Sequence, residues 1–438
     1  MKGSDRAAIP GETDMSFGAN GKVVLTGTSS ASLYSNGTEF AVSPEPVYIA
    51  PHQLALGLDG RLLPAFTLNL GAISPIQRAA MARLTADGHP DPSFQAGAFV
   101  WHGEVAKAFG VQAFERVGNS TLFCAEINSR TPEAGFAIVA INDDGALDTR
   151  FGHNGAVLFI KGDALPFFIG LDIVSADDSH ILLAASISSD FGLEPVLIRL
   201  TSDGAFDTSF NDSGILRLGA DFPEAALAGR LMAVRQEEFI VVCPRAGNRA
   251  RRYSFDSGEP DLSFGDNGVA NLAYPDGGPI DSTRLIAMNM DSKGHLWFAG
   301  EWTDKSGDVF TYQHGLLVST DKDGRPMPLF GTNGFQTLKK DQANFSLSYA
   351  ALDDAGRVLF GGRRMSVNVD RWWGVVGRTL PSGELDVDFG KIGIVDVAQI
   401  GSVIDAFPEF AYQPAKGRLL SYYMDALENE TTIRAFVT

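Results

Sequence analysis

Apolar residues in this chain recur in short runs that either alternate with polar ones or are continuous, and no window holds a helical period. Residues 98–147 show the pattern. AFVWHG, VQAFER, TLFCAEI and GFAIVAI are rich in aromatic and β-branched residues, with turn signals such as Gly118-Asn119 and Pro132-Glu133 between them. The next stretch repeats it as AVLFIKG, FIGLDIV, ILLAASI and PVLIRLT, and a later one as GFQTL, SLSYAAL, RVLFGG and WGVVGRT. The pattern predicts an all-β chain.

A second periodicity overlies the first. A glycine stands six residues before a phenylalanine at Gly11/Phe17, Gly88/Phe94, Gly145/Phe151, Gly204/Phe210, Gly258/Phe264, Gly324/Phe330 and Gly383/Phe389. Asp14, Asp91, Asp148, Asp207, Asp261 and Asp386 lie three before their phenylalanines, and Met327 replaces the aspartate in the sixth copy. A further glycine follows each phenylalanine by four residues, except in the second copy, where Gly97 comes one residue early. The first glycine suits a turn that needs positive φ. The aspartate suits bonding to amides two or three residues on. The phenylalanine offers a large apolar wedge between units.

Four strands per unit of this length is the arithmetic of a β-propeller. The expected fold is a single all-β domain over residues 1–438, a seven-bladed propeller with four antiparallel strands per blade. Expected blades run about 21–87, 98–144, 155–203, 214–257, 268–323, 334–382 and 393–438, with insertions near Thr28–Pro44, Asp276–Ser282 and Asp304–Asp308. The phrase is expected to join the outermost strand of one blade to the innermost strand of the next. Residues 9–21 are expected to dock beside Thr431–Val437 and close the ring at a blade boundary, without a strand swapped into a split blade.

The phrase as written in TSDGAFDTSFNDSG and NDDGALDTRFGHNG resembles the bacterial delta-60 repeat family, and the resemblance covers nearly the whole chain. It implies a bacterial origin and a propeller-like fold, and it implies no agreed activity.

Composition narrows the partners. The net charge of −18 argues against general nucleic-acid binding, which needs a positive field. Cys124 and Cys243 lie in apolar runs and lack zinc-type spacing. No apolar leader is visible in MKGSDRAAIPGETD, and no run of about 18 apolar residues occurs, so a cytoplasmic protein without a membrane span is the default expectation, with signal-independent export open.

Local catalytic motifs are missing. Asn142-Asp-Asp-Gly145 and Asp321-Lys-Asp-Gly324 lack the alternating ligands and twelfth-position glutamate of an EF-hand. No GxSxG elbow, P-loop or HExxH occurs. No metal or cofactor is expected. Trp101-His102-Gly103-Glu104 is expected at the end of an inner strand near the channel mouth.

The non-repeating feature that stands out is a basic and aromatic concentration in the later units. It comprises Arg245, Arg249, Arg251 and Arg252; then Trp302, Lys305, Tyr312 and His314; then Lys339, Lys340, Arg363, Arg364, Arg371, Trp372 and Trp373. Propeller topology places the turns that carry them on the face opposite the phrase. Planar rings offer stacking and arginines offer paired bonds to carboxylate or phosphate. The expected function is a non-catalytic binding or scaffold propeller that recognises a protein or an acidic glycan or other anion through one loop face. The alternative is a hydrolase or lyase acting on a small or sugar-like substrate at the central channel. The bland reading of the same residues is solvated arginines and tryptophans packed on neighbouring blades.

Overall fold

Strands form where the short apolar runs lie. The computed structural model describes residues 9–25, 33–35, 38–40, 48–57, 59–70, 76–94, 99–100, 112–115, 120–127, 135–160, 168–189, 192–222, 231–275, 282–304, 312–339, 344–365, 371–390, 392–400, 408–428 and 430–438. Among them the strands pair antiparallel into five free-standing four-stranded sheets. The first blade is Tyr48–Leu56, Leu62–Leu70, Ile76–Met81 and Phe99–Val100. The second is Gln112–Glu115, Thr121–Ile127, Gly135–Ile141 and Ala156–Ile160. The third is Phe168–Ala176, His180–Ser189, Gly192–Thr201 and Ile215–Arg217. The fourth is Leu231–Gln236, Phe239–Pro244, Arg249–Ser254 and Ala270–Asn271. The fifth is Thr283–Met290, Leu296–Asp304, Tyr312–Thr320 and Phe335–Leu338.

The remaining long strands form one eight-stranded sheet. It runs through Asn344–Leu352, Val358–Met365, Trp372–Arg378 and Ile394–Ile400, then through Arg418–Asp425, which also pairs Glu409–Gln413, to Glu430–Val437 and Lys22–Leu25. The first strand of each sheet touches the first strand of the next, and Glu409–Gln413 touches Tyr48–Leu56, so the sheets surround one axis. This is a β-propeller.

The expectation of seven separate, equivalent blades is corrected, because only five sheets stand free. The fusion has a local cause. Ile394–Ile400 is seven residues long, whereas the last strands of the free blades have two to five. Its end stays paired with Trp372 and Trp373 on one side and on the other pairs Ile400 with Asp425 and accepts the Ala426 N–H at Gln399 O (3.0 Å), which joins the two sets of strands. The insertion near residues 28–44 contains a two-stranded hairpin, Leu33–Ser35 with Thr38–Phe40.

The expected strand order is also corrected. Each phrase folds the chain back on the strand it leaves. In the third blade Asp207 N–H donates to Arg199 O (3.0 Å) and Arg199 N–H donates to Gly214 O (2.9 Å), and the same pair of bonds recurs around Arg378, Asp386 and Gly393. The phrase therefore links the third and fourth strands of one sheet. The strand that follows it is outermost, so Phe99–Val100 is an edge strand of the first blade, and Trp101-His102-Gly103-Glu104, beyond it, lies outside the described residues. Closure is corrected for the same reason. Lys22–Leu25 pairs Thr431–Arg434 and completes the last set of strands from the other end of the chain, so the ring closes inside a sheet. Within residues 9–21, Gly11 N–H donates to Val437 O (2.7 Å) and Asp14 N–H to Ala435 O (3.0 Å).

The phrase residues act as a clasp between neighbours. Phe94, Phe151, Phe210, Phe264 and Phe389 are buried, and Gly88, Gly145, Gly204, Gly258 and Gly383 all have positive φ. A Cβ on Gly324 would lie 2.6 Å from the Phe264 ring, so the ring of one phrase seats on the bare glycine of the next. The same phrases are tied by backbone: Gly265 N–H donates to Asp323 O (2.7 Å), Gly331 N–H to Ser382 O (2.7 Å), and Gly390 N–H to Pro10 O (2.9 Å). Asp91, Asp207 and Asp261 accept both the amide and the hydroxyl of the serine two residues on, and Asp148 and Asp386 accept the amides of Arg150 and Asp388.

A partner invisible as a motif completes the clasp. Arg83, Arg199, Arg252 and Arg378 are buried and pair with Asp91, Asp207, Asp261 and Asp386 at 2.7–2.8 Å, while Arg418 pairs with Asp14 across the closure. Their guanidinium groups lie 4.6–5.6 Å from the centres of Phe94, Phe210, Phe264, Phe389 and Phe17. Several reach on to the next sheet: Arg83 Nη2 donates to Asp143 O (2.6 Å) and Arg252 Nη1 to Lys322 O (2.7 Å). The sixth copy lost both charges together. Ser319 stands at the arginine position, with its Oγ 3.0 Å from Met327 Sδ. In the third copy Ala140 stands there, and Asp148 pairs with the exposed Arg150 instead.

These clasps predict acid sensitivity. Burial pushes the Asp14, Asp91, Asp207 and Asp261 carboxyls up, but the serine hydroxyls and amides and the arginines outweigh it and hold all four below the ordinary 3.8. A carboxyl depressed on folding contributes stability above its unfolded value and loses it as pH falls through the folded value. The thermal midpoint should drop as pH is lowered below about 4. Asp207→Asn should be less stable at pH 6 and show a shallower drop. An equal drop in both proteins would assign acid sensitivity elsewhere.

The core lies between sheets. Leu122, Ile138 and Phe159 of the second blade pack with Leu171, Leu183 and Ile198 of the third, and Gly135–Ile141 is buried along its whole length. Both faces of an inner sheet are covered, which is why its strands read as continuous apolar runs. Both cysteines are buried, and neither forms a disulfide.

Candidate binding rim

The ends of the second and third strands opposite the phrases carry most of the basic and aromatic residues singled out above. In the fifth blade Trp302 and His314 face each other across the ladder, and their rings stack at 5.3 Å and 28°. Tyr274 lies 4.8 Å from the Trp302 ring and edge-on to Phe335. Trp302 is only 8% exposed, and its indole N–H has no acceptor among the described residues. Burial, then the Lys339 charge, pulls the His314 imidazole below its usual value, against Asp304 at 3.9 Å. His314 is therefore a neutral aromatic partner near neutral pH. Tyr312 begins the third strand, opposite Asp304.

In the eight-stranded sheet the cross-strand register puts Arg364, Trp373 and Gln399 side by side. Arg364 forms a two-pronged pair with Asp396, Nε to Oδ1 at 2.7 Å and Nη2 to Oδ2 at 2.6 Å. Arg371 is exposed and donates to Gln399 Oε1 at 3.3 Å. Trp373 is half-buried. On the opposite face of the strand Arg363 lies buried with its guanidinium 4.4 Å over the Trp372 ring, which packs against the apolar core. The two groups of residues meet where Gln313 N–H donates to Asn344 Oδ1 (3.0 Å), next to Phe345, which is paired with Arg364.

The fourth blade contributes less. Arg249 is exposed at the start of its strand opposite Asn271, and Arg245 occupies the preceding turn. Arg251 turns towards Asp221 (3.6 Å), and Arg252 belongs to the clasp at the other end of the sheet. Lys305 and Lys340 lie outside the described residues. The structure thus brings together Arg364, Arg371 and Trp373, packs Trp302, His314, Arg363 and Trp372 inward, and separates Arg251 and Arg252 from the rim.

Asp396 and Gln399 escaped sequence reasoning. They sit on the strand after a phrase, which the expected strand order assigned to the next blade. With that strand moved back, the two-residue alternation of Asp396, Arg364 and Trp373 on one face is readable. Glu301, nearly buried, is a second unrecognised acid here; it accepts from Arg284 (3.1 Å) and Gln313 (3.3 Å). Among the described residues no cluster of three or more His, Cys, Asp or Glu is placed to hold a metal ion, and no helix is long and apolar enough to cross a membrane.

The family described as "Domain of unknown function (DUF5122) beta-propeller" matches residues 71–94 and 177–210. Both matched segments end on a phrase phenylalanine, Phe94 and Phe210. The chain is a β-propeller repeat protein. No curated protein matches it. Similar solved structures include the β-propeller domain of the trilobed protease from Pyrococcus furiosus, at 8% identity and TM-score 0.43, covering 89% of this chain and 93% of that one. The WD40 domain of SCAP from fission yeast matches at 8% identity and TM-score 0.39, covering 89% and 95%. A protein of unknown function from Dyadobacter fermentans matches at 10% identity and TM-score 0.40, covering 95% and 100%.

Proposed function

We propose that the whole chain forms one recognition propeller without catalytic activity, that its phrases are of the delta-60 type, and that the rim opposite them binds a protein or glycan bearing an anionic group. The observation that carries the reading is the exposed Arg371 beside the half-buried Trp373, with Arg364 already neutralised by Asp396. Arg371 is held by a single bond to a neutral amide, so its planar fork remains available to a carboxylate. Trp373 supplies a flat apolar surface next to it. The Arg364–Asp396 pair ties the two strands that flank Trp373 at the end of the sheet where Arg371 and Trp373 stand. In a chain of net −18, an exposed arginine beside an aromatic ring is a local exception to the acidic balance.

An oligogalacturonate and a glutamate-rich peptide serve as probes in a binding titration. At least one should bind the wild-type protein, and the Arg371→Ala, Trp373→Ala double variant should weaken that binding by about tenfold or more with an unchanged thermal midpoint. Absence of binding to both probes, or equal binding by the variant, would end this assignment.

A further inference from the structure

We propose that the phrase face carries a separate docking surface for a cationic amphipathic segment of a partner protein. Met15, Leu262, Leu329 and Val387 are 64%, 69%, 90% and 64% exposed. Met15, Leu262 and Val387 occupy one slot, the residue after the phrase aspartate, and Leu329 stands one place later in the copy that has Met327. The other three copies have Pro92, Thr149 and Thr208 in that slot. Of the eight large apolar side chains exposed among the described residues, six (these four, Leu380 and Ile392) lie in or beside four phrases, so the exposure is concentrated there. Those phrases are consecutive around the ring. The bonds Gly265 N–H to Asp323 O, Gly331 N–H to Ser382 O and Gly390 N–H to Pro10 O link them into one belt. Scattered exposed apolar residues need no explanation, but a run of them on a rigid, hydrogen-bonded arc marks an interaction surface.

Charge selects the occupant. The same four phrases expose Glu12, Asp256, Glu259, Asp266, Glu384 and Asp388, against Lys322 and Arg325, with Lys391 outside the described residues. Two copies of this face would repel each other, and an anionic lipid surface would be repelled too. A segment with apolar residues along one side and lysines or arginines along the other satisfies both features, as helix-in-groove ligands do.

The probe is a fluorescent peptide of leucine and lysine at helical spacing, about 18 residues long, with a leucine–glutamate peptide as control. Anisotropy should show saturable binding of the basic peptide that weakens with salt. The Leu262→Ser, Leu329→Ser, Val387→Ser variant keeps every charge and changes only exposed positions, and it should bind about tenfold more weakly or worse. Arg371→Ala, Trp373→Ala should bind the basic peptide as wild type does, which separates this surface from the rim. Undiminished binding by the serine variant would mean charge alone and overturn the proposal, as would equal binding of the glutamate peptide. Concentration-dependent dimers, or capture by phosphatidylserine vesicles, that vanish in the serine variant would assign the face to a second copy or to a membrane instead.

Discussion

Phe264→Ala is expected to lower the unfolding free energy by about 3–5 kcal/mol, a large part of the roughly 5–15 kcal/mol that holds a typical domain together. Phe264 is fully buried and does three things at once. It fills the space against Gly324 of the next phrase, lies 5.1 Å from the Arg252 guanidinium, and belongs to the core shared with Phe298 and Leu316 of the fifth blade. The glycine cannot compensate: a side chain there would meet both the ring and a backbone with φ of +78°. The neighbouring sheets are held by the clasps on either side, so the cavity cannot collapse. Urea unfolding monitored by tryptophan fluorescence should show a lower midpoint, whereas Leu262→Ala, at the exposed position two residues earlier, should shift it by no more than about 0.5 kcal/mol. Similar midpoints for the two variants would show that the phrase phenylalanine is not a wedge.

Deleting residues 1–25 should be more damaging still. It removes Lys22–Leu25 from the edge of Glu430–Val437, takes fully buried Phe17 out of the core around Tyr422 and Ile433, and strips Arg418 of Asp14 and Ser16. Arg418 is nearly buried and would keep as charge partner only the half-exposed Asp87 at 3.0 Å, so the loss of Asp14 costs part of the roughly 3–5 kcal/mol of unpairing a buried charge. Adding about 3–5 kcal/mol for the lost aromatic burial, the expected destabilisation is about 5 kcal/mol or more. Glu430–Val437 would also become an open edge with unpaired amides, a template for association between chains. Calorimetry and size-exclusion chromatography should find a midpoint lower by about 5 °C or more, together with aggregates. A monomer with an unaltered midpoint would show that the N-terminal strand does not close the ring.

The shape of this protein was largely readable because its two periodicities are local. A two-residue alternation specifies a strand whatever surrounds it, and the positive φ of Gly88 or Gly204 and the amide bonds of Asp91 or Asp207 are settled within a few residues of chain. The clasp arginines were less visible because they stand on a different strand. Yet Arg83, Arg199 and Arg378 each precede their aspartate by eight residues and are replaced by Ser319 where the aspartate becomes Met327, so their pairing was written in the chain as a joint loss.

Pairing between strands was not legible, because it depends on which edges meet. The repeated phrase is equally compatible with a bridge between sheets and a fold-back within one. Only the bonds from Asp207 to Arg199 and from Arg199 to Gly214 decide for the fold-back. That choice moved every outer strand by one place and put Asp396 beside Arg364. It also made Lys22–Leu25, at the far end of the sequence, the partner of Thr431–Arg434. The sequence by itself determined the all-β character, the repeat and the residues of each turn, since these rest on contacts a few positions apart. The tertiary structure alone decided the five free blades and the fused sheet, the closing strand, and which arginines lie buried in clasps and which stand exposed, since these rest on contacts between segments that can be hundreds of residues apart.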